Sequence, residues 1–242
     1  MHQQQSVRER PESLRVRILG SKHDDGAESE LHSESHFPAL VTLLAVGGLY
    51  AALPFALVGG GERWILLCVV GALLVPAIIA RVRGRHSLNQ TLGYILNGVV
   101  TVALIWSVAL LVKAMFGRAA SGAQLLLSTI AIWISNVLVF ASWYWRLDAG
   151  GPHQRDERPG HDRGAFLFAQ MQMDPKTKTA AGEEQWSPNF VDYLFLAFHT
   201  STSFSPADAP VLSRWAKMLM MIQTSISLLV LTFLAARAFD LL

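Results

Sequence analysis

The sequence holds one cysteine, Cys68, in 242 residues. A disulfide within the chain is therefore excluded, and so is a CxxC metal or redox motif. Cys68 stands inside an apolar run and reads as a small buried hydrophobe. Catalytic signatures are also lacking. There is no GxxxxGK phosphate loop, no GxSxG nucleophile turn and no HExxH zinc pair. No catalytic, cofactor-binding or metal-ligating residue is expected, and the chain is not read as an enzyme. His153 and His161 lie near Asp156, Glu157 and Asp162, and a solvated charged loop accounts for them. No apolar segment carries the repeated arginines of a voltage sensor. No signal-peptide pattern opens the chain, which is polar as far as Phe37. The formal net charge is only +2, and no nucleic-acid partner is expected.

What is present is a particular distribution. Hydrophobic residues make up 52% of the chain, little above the roughly 45–50% of ordinary soluble proteins. They are gathered into long uncharged runs, with the charges between them. Runs at Ala39 to Val58, Trp64 to Ala80, Leu92 to Val112, Ala123 to Trp145 and Ala216 to Ala236 are each close to the ~20 residues that cross a ~30 Å hydrocarbon core. The fourth closes on Trp143-Tyr144-Trp145-Arg146, an aromatic cluster with an arginine beside it, as at helix ends level with lipid headgroups. Phe190 to Phe204 is shorter and more polar, which suits either a lengthened span or a re-entrant segment. The expected fold is an all-α polytopic membrane protein with five transmembrane helices plus one short polar helix, transmembrane or re-entrant.

Composition divides the chain further. Residues 1–37 read as a charged, disordered cytoplasmic tail. Residues 38–146 form a four-helix membrane region, 147–187 a polar linker, and 188–242 a module of the short helix and the last span. In the linker Phe166-Leu167-Phe168 is the only apolar patch, expected on the membrane surface or on another subunit. Lys and Arg prefer the cytoplasmic side. Arg81, Arg83 and Arg85 with the basic tail place the N-terminus there, and on that topology the short helix must cross outward.

The informative polar residues lie in the last module. Asp192 and His199 share a helix face at a spacing of seven, Thr200 and Thr202 follow, and Asp208 lies beyond. Ionisable groups at membrane depth are costly and point to a pathway or a buried partner. Asp192, His199, Thr200, Thr202 and Asp208, with Gln223, Thr224 and Ser227 on the last helix, are the candidates for a pathway or for polar contacts between helices. Asn97, Asn136 and Ser225 are expected to hydrogen-bond between helices.

Asp192-Tyr193-Leu194-Phe195-Leu196-Ala197-Phe198 followed by Thr200-Ser201-Thr202-Ser203 and Phe204-Ser205-Pro206-Ala207-Asp208 resembles the pore helix and filter region of tetrameric potassium channels. The two filter glycines of that family are absent, so no filter residue is carried over. Asp192-Tyr193-Leu194, Ser203-Phe204, Asp208, Arg214 with Lys217, and Trp143 to Asp148 before Gly150-Gly151-Pro152 are similar to a family of bacterial inner-membrane proteins that carry a domain of unknown function. That resemblance implies a multi-pass helical fold in a bacterial inner membrane and no set activity. The expected function is a channel-like conduit formed by the C-terminal helices; the alternative is a non-conducting interaction or assembly protein. The candidate partners are the lipid bilayer, a second copy of the chain and an ion; no cofactor is expected.

Overall fold

A computed structural model describes residues 45, 47, 62–83, 85–116, 121–156, 163–183, 186–205 and 209–240. The expected tail 1–37 and Asp208 lie outside the described residues, as does the first expected span apart from Ala45 and Gly47. The described residues are helical, with one isolated antiparallel bridge between Phe166 and Val211. Helix α1 covers Glu62–Val82, α2 His86–Phe116 and α3 Gly122–Leu147. Short helices α4 (Pro152–Asp156) and α5 (Pro175–Ala181) precede α6 (Phe190–Ser203) and α7 (Arg214–Asp240).

Local chemistry explains where these helices begin. Ser121 caps α3 through a reciprocal box with Gln124, which satisfies two backbone donors that a helix start leaves open. Asn189 and Asp192 form the same box at α6. Asp174 caps α5 ahead of Pro175, and Gly182 ends that helix in the left-handed region.

Among the described residues, three helices are long and apolar enough to cross a membrane: Ser87–Phe116, Gly122–Gly150 and Arg214–Ala236. Five were expected. In α1 the described apolar stretch, Cys68–Ala80, is shorter than a span. Cys68 itself is exposed rather than buried, since a small hydrophobe on a membrane helix can face lipid as readily as a core.

Helix α3 is the hub, packing against α2, α6 and α7, while α1 packs on α2. Its inward residues include Leu125, Ile132, Phe140 and Tyr144, all buried. Directions follow from side-chain pairs. Asn97 meets Ser142 and Tyr94 meets the Arg146 carbonyl, so α2 and α3 are antiparallel. Trp133 packs edge-on to Phe198 and Trp145 to Phe190, so α3 and α6 are antiparallel. Gln223 meets Ala197 and Ser227 meets Ser201; both positions rise together, so α6 and α7 run parallel.

That parallel pairing bears on the short helix, expected to be either transmembrane or re-entrant. Helices α6 and α7 begin at the same end of the bundle, the end that carries Trp143, Trp145 and Arg146. Residues 209–212 also lie at that end, where the Leu167 amide donates to the Pro210 carbonyl (2.9 Å) and the Leu212 amide to the Ala165 carbonyl (2.7 Å). The chain therefore enters α6 and α7 from the same end of the bundle. The 14 residues of α6 span about 21 Å, short of the ~30 Å core.

Described parts of the 147–187 segment are folded onto the same end. Helix α3 stops where Ala149, Gly150 and Gly151 take positive φ, and the chain turns back. Asp148 and Arg155 are both buried. Arg155 donates to the carbonyls of Trp145 (2.7 Å) and Asp148 (3.0 Å), and its guanidinium lies over the Tyr193 ring at 5.1 Å. Asp148 accepts from the Ala165 amide and from the Tyr193 hydroxyl, the latter at 2.7 Å. Phe166 is fully buried among Tyr144, Tyr193, Phe168 and Trp215. It is core, not the membrane-surface or intersubunit patch its surroundings in sequence suggested.

Candidate functional site

The sequence candidates separate into an inner and an outer set. On the inner side Gln223 is fully buried. Its carboxamide accepts from the Tyr144 hydroxyl (2.6 Å) and donates to the Ala197 carbonyl (2.8 Å). One turn on, Ser227 meets Ser201 at 2.6 Å and accepts from the Asn136 amide at 2.7 Å. Asn136 also reaches the Gln223 carbonyl at 3.4 Å. Three helices are thus tied by one polar network. Thr200 is buried beside it and donates to the Leu196 carbonyl of its own helix. Thr224 is half-buried and lies about 100° round α7 from Gln223.

A second polar group joins α2 to α3. The Ser142 hydroxyl donates to the Asn97 carboxamide oxygen (3.0 Å). Thr101 links the Asn97 carbonyl to the Trp143 indole, at 2.6 and 2.8 Å. Asn97 and Asn136 therefore hydrogen-bond between helices as expected, whereas Ser225 bonds within its own helix to Met221.

The outer set lies on the remaining face of α6. Asp192 sits in its first turn, half-buried, and its carboxylate accepts from the Asn189 amide at 2.7 Å. That is a capping role at the end of the bundle, not at its middle. His199 is half-buried, its ring against Phe195 at 4.2 Å between centroids. Its buried Nδ1 has no hydrogen-bond partner among the described residues. Thr202 is half-buried and donates to the Phe198 carbonyl at 2.9 Å. Ser203, Phe204 and Ser205 are exposed, and Phe204 ends the helix in the left-handed region.

The depth of this end matters. Ser201 is level with Ser227, and the apolar span Arg214–Ala236 has Ser225 at its centre. The last turn of α6 therefore stops near the middle of the span. Beside it, a groove of about 420 Å³ between α3 and α6 is lined only by apolar and aromatic residues, among them Trp133, Val137, Phe195 and Phe198. Among the described residues no three His, Cys, Asp or Glu side chains converge on a metal-sized space.

Spacing did not reveal Tyr144, Ser201, Ser142, Thr101 or the Asp148–Tyr193–Arg155 cluster. Tyr144 sits in an aromatic run that reads as an interfacial belt, which masks its inward hydroxyl. Asp192 carried a readable signal: Asn-Phe-Val-Asp before an apolar run has the spacing of a capping box. No family model, curated protein or solved structure matches the chain.

Proposed function

We propose that this chain is the subunit of a channel-like conduit in a bacterial inner membrane. Several copies arrange α6 and α7 around a path for an ion. The observation that carries this reading is the end of α6. Non-helical backbone at membrane depth is tolerated only where protein covers it or where it lines water. Residues 203–205 are exposed in the single chain, near the middle of the span. A second copy or an aqueous path must meet them. Helix α7 also keeps a large uncovered face, with only 22% of its most apolar window buried within the chain.

On this reading the two sets of polar residues differ in role. Gln223, Ser227 and Ser201 hold the re-entrant helix against α7 and do not line the path. Thr200 is packed with them. His199, Thr202, Ser203 and Ser205 form the path side, with Asp192 toward its mouth and Thr224 toward a neighbouring copy. The full span count is five, with 39–58 and α1 as the other two crossings, and α6 makes no sixth. The N-terminus and the folded 147–187 segment are cytoplasmic, because Arg83, Arg85, Arg214 and Lys217 all belong to the end that carries that segment. No chemical step is assigned to any residue.

The alternative is a non-conducting interaction or assembly protein, and it too has an observation in its favour. The inner polar side chains bond mainly to one another, as in helices glued for packing alone. Flux through liposomes holding the purified protein decides between them. The conduit predicts transport of a monovalent cation or proton by an oligomer. A monomeric protein, silent to all common monovalent ions and protons, would sink it.

A further inference from the structure

At the end of the bundle where α6 and α7 begin, a cleft of about 330 Å³ opens between the 147–165 segment and the first turn of α7. Gln154, Arg163, Ser213 and Trp215 line it with the backbone of Gly150 and Gly164. Gln154 lies directly over Gly150, where a Cβ would collide with its carboxamide. Arg163 is exposed, and Lys217 is exposed one helical turn beyond Ser213. Among the described residues that line the cleft none is a carboxylate. Asp148, beside Leu147 and Ala149, is turned inward to Tyr193 and the Ala165 amide, and Asp162, beside Arg163, lies outside the described residues.

The level of this cleft is set by its neighbours. It adjoins the end of α3, with Trp143, Trp145 and Arg146, and the start of α7, with Trp215 and Arg214. Aromatic residues beside arginines mark the headgroup region of a bilayer. The volume is at the low end of the ~300–1,000 Å³ of small-ligand sites, enough for a headgroup but not for a whole lipid. A basic, amide- and hydroxyl-lined cleft at that level matches a phosphate group that carries acyl chains into the adjoining leaflet.

We propose that this cleft binds the phosphate of an anionic membrane lipid. The Arg163 guanidinium supplies the paired donors that suit phosphate oxygens. Gln154 and the Ser213 hydroxyl add neutral contacts, Lys217 adds charge, and Trp215 packs beside the glycerol region. The site stands apart from α6 and needs no ion flux, so it survives or fails independently of the conduit.

The test is thermal melting and native mass spectrometry of the full chain in detergent, with phosphatidylglycerol, phosphatidylcholine or inorganic phosphate added. Phosphatidylglycerol should raise the melting temperature and stay bound in the gas phase, while phosphatidylcholine does neither. Arg163→Gln should weaken phosphatidylglycerol binding about fivefold, and Arg163→Gln with Lys217→Gln about 25-fold, the effect of one and two basic residues beside an anionic surface. Arg163→Lys should lose less than Arg163→Gln. Both side chains are exposed, so the lipid-free melting temperature should not move. Equal stabilisation by the two lipids would overturn the proposal. So would a phosphatidylglycerol effect that the double variant retains. A response to inorganic phosphate as large as that to the lipid would assign the cleft to free phosphate instead.

Discussion

Replacing Gln223 by leucine keeps the side-chain size and removes its carboxamide from the centre of the α3–α6–α7 contact. Two hydrogen bonds are lost, to Tyr144 at 2.6 Å and to Ala197 at 2.8 Å. Side-chain hydrogen bonds between membrane helices contribute about 0.6–1 kcal/mol each. The loss does not stop there. The Tyr144 hydroxyl is left in a fully buried position, and an unsatisfied buried donor costs about 1–3 kcal/mol. The Ala197 carbonyl suffers less, because it keeps its place in the α6 backbone ladder. Gln223→Leu should therefore destabilise the protein by about 2–3 kcal/mol.

A double-mutant cycle tests the reasoning more sharply than the single change. Tyr144→Phe alone should cost about 1 kcal/mol. In the double variant Gln223→Leu with Tyr144→Phe no hydroxyl is stranded, so the total should fall about 1 kcal/mol or more below the sum of the single costs. Reversible unfolding of the purified protein in mixed micelles gives the four free energies. A Gln223→Leu cost under about 0.5 kcal/mol, or a coupling indistinguishable from zero, would refute a load carried by this network, since contacting partners couple by about 0.5–3 kcal/mol.

Topology is open to a direct test. In a Cys68→Ala background, cysteines placed at Ser187 and Ser213 should react with an impermeant reagent from the same side of the membrane, because α6 and α7 begin at the same end of the bundle; opposite sides would mean that α6 crosses. Asp148→Ala should lower stability by about 3 kcal/mol in the same unfolding assay, because the Tyr193 hydroxyl and the Ala165 amide lose their buried acceptor. His199→Ala should change ion flux in liposomes while the melting temperature stays near wild type, since Nδ1 makes no hydrogen bond among the described residues; a large loss of stability with flux unchanged would make the residue structural. At Asp174, hydrogen bonds from the Thr177 hydroxyl and amide hold the carboxyl below its ordinary value. A depressed folded value means the cap is fully in place above the unfolded value and is lost as pH falls through the folded one. Amide exchange in α5 should therefore quicken only at acid pH below the usual carboxylate range, and Asp174→Asn should blunt that response.

How much of this could be read beforehand depends on how local each feature is. The uncharged runs that became α2, α3 and α7 are visible because a span must be apolar along its whole length. The short α6 was visible for the opposite reason: about 15 residues with an aspartate, a histidine and a hydroxyl run do not fit a plain crossing. Its direction was not legible. Parallel packing of α6 on α7 rests on Ala197 with Gln223 and Ser201 with Ser227, pairs whose register no local spacing sets. Charge counting does not supply that register, because it assumes that each helix changes sides.

The 147–187 segment failed to announce itself for a related reason. Its composition is that of a solvated linker, and for Lys176, Thr177 and Lys178 that impression is correct, since they are exposed or half-buried. Several residues depart from it, three of them tellingly. Asp148, Arg155 and Phe166 are buried because each finds what it needs in another element: a tyrosine hydroxyl on α6, two carbonyls at the end of α3, and an aromatic cage from three helices. Buried charge is tolerable only with such partners, and average composition cannot show partners. Their consequence reaches the site. Tyr193 lies on the same helix as His199 and Thr202, so the Asp148 contact anchors the entry of α6 while Gln223 and Ser227 anchor its depth. With both ends of a 14-residue helix held to α3 and α7, the position of its exposed tip near the middle of the span is a property of the single chain. A conduit built from several copies would then assemble around tips already set in place.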